Sequence, residues 1–154
     1  MSSQKLARSS QKQTHIKGRA GEQRACEWLE SKGFKILARN YCTQFGEIDI
    51  IALHDNFLHF IEVKTFAASS LSPRYAITSK KLQKIYASID VLLFACHNLQ
   101  PSQKSNFSKY ACDTHKITQG LQALDIDLQN CQYCVDALLI WGNSIELLEN
   151  ISLE

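Results

Sequence analysis

The residues of this chain best suited to do chemistry are carboxylates set inside apolar strands. Residues 47–54 (EIDIIALH) and 57–64 (FLHFIEVK) flank Asp55-Asn56, a dipeptide that favours a tight hairpin turn. Alternate residues of a strand face one side. Glu62 and Lys64 therefore share a face with Leu58 and Phe60, and Glu47 and Asp49 share one with Ile51 and Leu53. A turn centred on Asp55-Asn56 pairs His54 with Phe57, and the same register sets Asp49 opposite Glu62 and Glu47 opposite Lys64. Opposed like charges destabilise a strand pair. Surrounded by Ile50, Ile51, Ile61 and Val63, two such carboxylates need a shared proton or a cation between them. Hard oxygen ligands suit Mg²⁺ or Mn²⁺, and the backbone carbonyl of Val63 can complete the protein's contribution. Lys64, one step along the same face, can stabilise charge on a phosphate or orient an attacking water. The plainer alternative is a solvated polar face. It explains either residue alone better than it explains an opposed pair.

A third carboxylate comes from a helix. Glu22, Ala25, Cys26 and Leu29 follow an i, i+3, i+4, i+7 spacing, so Glu22 falls within an apolar stripe. It can face the same cleft, or it can be a first-turn Glu that stabilises the positive end of the helix dipole. Gly18 and Gly21 are poor helix formers. They permit close backbone approach to a phosphate or to a neighbouring strand.

These residues need elements to hold them. Helical periodicity from about Lys17 to Lys32 ends at Gly33, the C-terminal cap position. Phe34 to Tyr41, Glu47 to His54 and Phe57 to Lys64 read as strands, with Thr65 to Pro73 a loop of small residues. Thr78 to Cys96 reads as a long helix with apolar Leu82, Ile85, Ile89, Leu92 and Leu93. The polar stretch Leu99 to Gln129 contains one expected helix near Ile117 to Leu124, and Cys134 to Trp141 and Ser144 to Glu149 read as a hairpin about Gly142-Asn143. The order predicts a single α/β domain: a central mixed β-sheet flanked by helices.

At 154 residues, 45% hydrophobic and 21% charged, the chain is long and apolar enough for one buried core. The net charge of +2 says little about partners, but Lys5, Arg8, Lys12, Lys17 and Arg19 precede the first acidic residue. Residues 1–15 read as a basic arm, either simply disordered or lying along an acidic polymer. No signal peptide and no apolar run of about twenty residues is visible, so no membrane span is expected. Six cysteines without a secretory signal point to free thiols in the cytoplasm.

One further metal pattern is present. Cys112-x-x-His115 and Cys131-x-x-Cys134 resemble two halves of a structural zinc site. The alternative is buried free thiols acting as small apolar residues. No P-loop, dinucleotide or nucleophile-elbow fingerprint occurs.

The run GRAGEQRACEWLESKGFKILARNYCTQFGEIDIIALHDNFLHFIEVKT resembles the small bacterial YraN family of predicted endonucleases. That family is similar to archaeal Holliday-junction resolvases within the PD-(D/E)xK nuclease superfamily. The resemblance rests on G-x-x-G-E, G-E-I-D-I-I and I-E-V-K-T in order, covers roughly Lys17 to Leu93, and returns weakly over Val135 to Asn150. It implies a restriction-endonuclease-like fold over residues 16–154, with a divergent segment at about 97–132. It implies a site of Glu22, Asp49, Glu62 and Lys64, with metal on Asp49, Glu62 and the Val63 carbonyl. Lys81, or equally Lys80, falls where the family has a substrate-facing helix lysine, and Thr65, Gly18 and Gly21 become candidate substrate contacts. The implied chemistry is phosphodiester hydrolysis on DNA, with branched or flapped structures as candidate substrates and a homodimer as candidate assembly. The alternative is a catalytically silent nucleic-acid-binding module that keeps the fold. The chain departs from the family pattern at Cys134 and Leu147, where an Arg and a His are usual.

Overall fold

The computed structural model describes residues 18–67, 77–98, 111–124, 126 and 131–152. The basic arm and most of the segment between residues 99 and 130 lie outside the described residues. Helix α1 covers residues 18–31 and is followed by β1 (Lys35–Cys42), β2 (Glu47–His54) and β3 (Phe57–Phe66). Then come α2 (Ser79–Asn98), α3 (Ala111–Gln122), β4 (Gln132–Trp141) and β5 (Ser144–Leu148). The strands form one sheet in the order β1-β2-β3-β4-β5. Neighbours are antiparallel except β3 and β4, which are parallel. A parallel junction requires a long crossover, and α2 and α3 supply it. The expected mixed sheet flanked by helices is the observed architecture.

Local chemistry sets the boundaries. Helix α1 closes with Gly33 at φ +90°. Phe34 N donates to Leu29 O (3.1 Å) and Gly33 N to Glu30 O (3.0 Å), a pairing that satisfies the last carbonyls and needs a left-handed residue at Gly33. The β2–β3 turn has positive φ at both Asp55 (46°) and Asn56 (66°), the conformation that matches strand twist in two-residue hairpins. Strand β3 runs two residues past the expected Lys64. Helix α3 begins at Ala111, six positions before the expected Ile117, because its first turns carry no apolar periodicity to reveal them.

The sheet is covered on both faces. Ala25, Cys26 and Leu29 of α1 pack with Ile50, Ala52, Ile61, Leu138 and Ile140. On the other face Leu82, Ile85, Ile89 and Leu92 of α2, with Ile117 and Leu121 of α3, pack on Ile51, Leu53, Leu58, Phe60 and Val135. Burial on both sides explains why the central strands read as nearly continuous apolar runs. Thr43 fastens the β1–β2 connection to α2 through a 2.7 Å bond between its hydroxyl and that of Ser88, both buried. Among the described residues no helix is long and apolar enough to cross a membrane.

Candidate active site

The β2–β3 register is the one the turn predicts, His54 with Phe57 through Ile50 with Ile61. There the ladder stops. Asp49 and Glu62 are the next positions along, and they do not pair as strand partners. Instead the Val63 N–H donates to Asp49 Oδ2 at 2.7 Å, so a side chain fills the place of a backbone acceptor. The two strands part where the opposed carboxylates begin. In an extended strand the N–H and C=O of a residue turn to the same neighbour. The Val63 carbonyl therefore faces the gap that Asp49 occupies.

By parity Asp49 lies on the α2 side with Ile51, and Glu62 on the same side with Leu58 and Phe60. Glu62 is 1% exposed. Lys64 Nζ donates to its Oε1 at 2.6 Å, and Lys81 Nζ, from the first turn of α2, lies 2.8 Å from its Oε2. This second contact is an ion pair without the alignment of a hydrogen bond, so the buried Oε2 has a charge beside it but no donor aimed at it. Lys81 Nζ also donates to the Glu47 carbonyl at 3.2 Å. Burial, and next the charge of Glu62, push the Asp49 carboxyl up to about 7, while the Val63 N–H, Lys81 and Lys64 pull the other way.

Asp49, Glu62, Lys64 and Lys81 are thus brought together on one sheet face. Lys80 is exposed and makes no ion pair among the described residues, which separates two lysines that adjacency alone left equal. Glu47 is exposed and contributes its carbonyl rather than a carboxylate opposite Lys64. Glu22 stands apart. It is half-buried on α1, the helix that covers the opposite face, and no hydrogen bond or ion pair joins it to these four. Nor is it among the charges acting on Asp49. Gly18 is exposed, with open space where a side chain would begin apart from Glu22 at 4.0 Å. Gly21 is buried against the Thr65 hydroxyl, so its missing side chain admits a neighbouring strand.

This contact gives a testable cycle. A Cβ at position 21 collides with Thr65 Oγ1. Gly21→Ala should destabilise the chain by about 1–2 kcal/mol, as overpacking does. In a Thr65→Ala background the same change should be neutral or gain up to about 1 kcal/mol from helix propensity. Denaturant titration of the four proteins measures the coupling, and additive effects would mean that the glycine answers to something other than Thr65.

The zinc-like pattern is distributed differently. His115 is exposed on α3, whose buried residues Ile117 and Leu121 pack on the α2-side face. The Cys112 side chain lies outside the described residues. The Cys131 thiol lies 3.4 Å from the Asn56 carbonyl. Cys134 meets His59 and Asp136 on the α1 side. The buried His59–Asp136 pair lies outside the residues that the sequence pattern singles out. The signal was available, because each is a polar residue at an inward position of a strongly apolar strand.

Residues 21–133 match the profile described as "Uncharacterised protein family UPF0102". The chain belongs to this family. It is the family to which the YraN resemblance pointed. A UPF0102 protein of Helicobacter hepaticus is 41% identical over 137 residues, covering 89% of this chain and 94% of the relative. One from Helicobacter pylori strain P12 is 38% identical over 136 residues, covering 88% and 90%. One from Campylobacter lari is 35% identical over 138 residues, covering 90% and 95%. The UPF0102 match begins at Gly21 and so takes in Glu22, Asp49, Glu62, Lys64 and Lys81, and it stops two residues into β4.

The charge state of Asp49 predicts a stability effect. Its folded carboxyl titrates at about 7 against an ordinary 3.8, so the folded chain binds this proton more tightly than the unfolded chain. Stability contributed in this way is complete below the unfolded value and is lost as pH rises through the folded one. Asp49→Asn, which keeps an acceptor for Val63 N–H, should therefore stabilise the metal-free protein at pH 8 by about 1–2 kcal/mol. This is discounted from the 1.36 kcal/mol per unit of an isolated shift, because the group is partly exposed and coupled to Glu62. The gain should shrink towards zero near pH 4. Denaturant midpoints at both pH values test it, and a loss of stability at pH 8 would contradict the desolvated carboxylate.

Proposed function

We propose that this UPF0102 protein is a metal-dependent endonuclease that hydrolyses phosphodiester bonds of DNA, with branched or flapped structures as its preferred class. The observation that carries this reading is the break in the β2–β3 ladder, where Asp49 and the buried Glu62 face one gap beside Lys64 and Lys81. The residues fit a hard divalent cation. Glu62 Oε2 is buried with the Lys81 ammonium 2.8 Å away, Asp49 offers a second oxygen, and the Val63 carbonyl faces the same gap. Asp49, Glu62 and Val63 would hold Mg²⁺ or Mn²⁺, which when bound supplies Lewis-acid polarisation and a lowered water pKa.

The chain's own groups supply the rest. The Val63 N–H fixes the orientation of Asp49. Lys64, on the same strand face, is placed to stabilise charge that builds on the phosphate. Lys81 bridges the Glu47 carbonyl and Glu62, and so ties the start of α2 to the open end of the hairpin. The apolar packing of Leu58, Phe60 and Leu82 beneath them limits water and strengthens each charge interaction.

The pairing of Glu62 with two ammonium groups favours a second reading, a DNA-binding module without hydrolysis. These two ion pairs balance the charge of Glu62 without an ion. Mn²⁺-dependent cleavage of linear, flapped and four-way DNA, with binding measured in parallel, separates the two. Cleavage of any substrate that requires Mn²⁺ and Asp49 supports the nuclease. Binding without cleavage across the whole panel supports the silent module.

A further inference from the structure

Another polar cluster is buried in the same two strands, on the opposite face of the sheet. His59 of β3 and Cys134 of β4 are partners in the parallel register, and Asp136 lies two residues beyond Cys134. Their parity matches Ile61 and Leu138, so all three side chains leave the sheet on the α1 side. His59 is 6% exposed and Asp136 0%. His59 Nδ1 and Asp136 Oδ2 are hydrogen-bonded at 2.6 Å, and the Cys134 Sγ lies 3.4 Å from the same nitrogen.

We propose that His59, Cys134 and Asp136 form a site for a borderline-soft divalent ion such as Zn²⁺, distinct from the all-oxygen site at Asp49 and Glu62. The ligand atoms lie within 4.8 Å of one another. Tetrahedral zinc, with bonds of about 2.0–2.3 Å, holds its ligand atoms about 3.3–3.8 Å apart. The separation of Sγ and Nδ1, 3.4 Å, already has that value. The 2.6 Å between Nδ1 and Oδ2 is that of a hydrogen bond made through one proton. It must open by less than about 1 Å when an ion replaces that proton. The imidazole then carries its proton on Nε2 and the thiol gives its proton to solvent. One nitrogen, one sulfur and one oxygen select zinc-like ions over Mg²⁺.

The surroundings are already arranged for this. Asn150 N donates to Asp136 Oδ1 at 2.8 Å, which fixes the carboxylate and leaves Oδ2 turned to His59. Asn150 holds a positive φ of 55°, and Ile151 N returns to the Val135 carbonyl at 2.8 Å, so the segment after β5 is pinned to β4. Such support from beyond the ligands is what orients a metal centre. The Phe34 ring lies edge-on to His59 and is stacked by His54 at 4.2 Å, which walls the cluster. A cysteine nucleophile does not fit. A base that activates a thiol uses one nitrogen for it and the other for its orienting carboxylate. Here Sγ and Oδ2 both crowd Nδ1, while Nε2 is 4.0 Å from the sulfur.

The test uses the full chain stripped by a chelator and titrated with Co²⁺. A saturable near-ultraviolet thiolate-to-Co²⁺ charge-transfer band, with the visible bands of a tetrahedral ion, is expected. Zn²⁺ should bleach it stoichiometrically. Cys134→Ser should remove the charge-transfer band. The double variant Asp49→Asn, Glu62→Gln should keep it, which separates this site from the proposed nuclease centre. No thiolate band in the parent chain at saturating Co²⁺ overturns the proposal and leaves a structural His–Asp pair. A band that survives in Cys134→Ser overturns it in favour of another cysteine.

Discussion

Asp49→Ala should abolish Mn²⁺ binding and DNA cleavage together. The change removes an oxygen from the gap and the acceptor for the Val63 N–H at once. Even residues that merely support metal ligands cost about 10–100-fold in affinity or activity when replaced. Loss of a ligand should therefore exceed a hundredfold in cleavage and take Mn²⁺ binding below calorimetric detection. The fold should survive, because the metal-free chain is relieved of a desolvated carboxylate that burial holds up to about 7. Losing function while keeping or gaining stability is the mark of a functional rather than a structural carboxylate. Calorimetric Mn²⁺ titration beside a cleavage assay measures both. Undiminished affinity in Asp49→Ala would remove Asp49 from the metal and leave the cation to Glu62 alone.

The sheet and the hairpin were legible because local signals agreed with the tertiary outcome. Asp55-Asn56 takes the two positive φ values its chemistry favours, and that turn fixes the register for every residue down to Ile50 and Ile61. The same inference extended one pair too far. Period-two reasoning continues a ladder indefinitely, but two carboxylates opposite each other cannot remain stacked at strand spacing without a cation. The strands part instead, and Asp49 turns onto the Val63 N–H.

Lys80 and Lys81 show a different limit. A helical turn rotates adjacent residues by about 100°, so only the packing of Leu82 and Ile85 into the core decides which lysine faces Glu62. Glu22 shows a third. Its place in the apolar stripe leaves it half-buried on α1, but a stripe does not tell which face of the sheet the helix covers. His59 and Asp136 could have been found by the argument applied to Asp49 and Glu62. Their strands lie side by side although 77 positions separate them in sequence, and no local rule announces a parallel pairing across that distance.

Replacing the two lysines that hold Glu62 should have opposite consequences for metal and for cleavage. Lys64 Nζ rests on Oε1 at 2.6 Å and Lys81 Nζ against Oε2 at 2.8 Å, so each neutralises a carboxylate that is otherwise buried. An ammonium group is not a metal ligand, and it competes with a cation for the same negative charge. Lys64→Ala should leave Mn²⁺ affinity intact or slightly raised, yet slow cleavage by on the order of a hundredfold or more, as when one charge-stabilising donor is removed from a transition state. The loss should fall on kcat, because a group that acts on developing charge does little for ground-state binding. Lys81→Met keeps the aliphatic stem and deletes the charge nearest the undonated Oε2. It should raise Mn²⁺ affinity more than Lys64→Ala does, since the entering ion no longer displaces a resident cation from that oxygen. Calorimetry and single-turnover cleavage on the same two variants read both effects. Cleavage by Lys64→Ala at the parental rate would make Lys64 a counter-charge for Glu62 and nothing more. Reduced Mn²⁺ affinity in Lys81→Met would mean that this lysine organises the gap rather than occupies it, through its 3.2 Å bond to the Glu47 carbonyl at the start of β2.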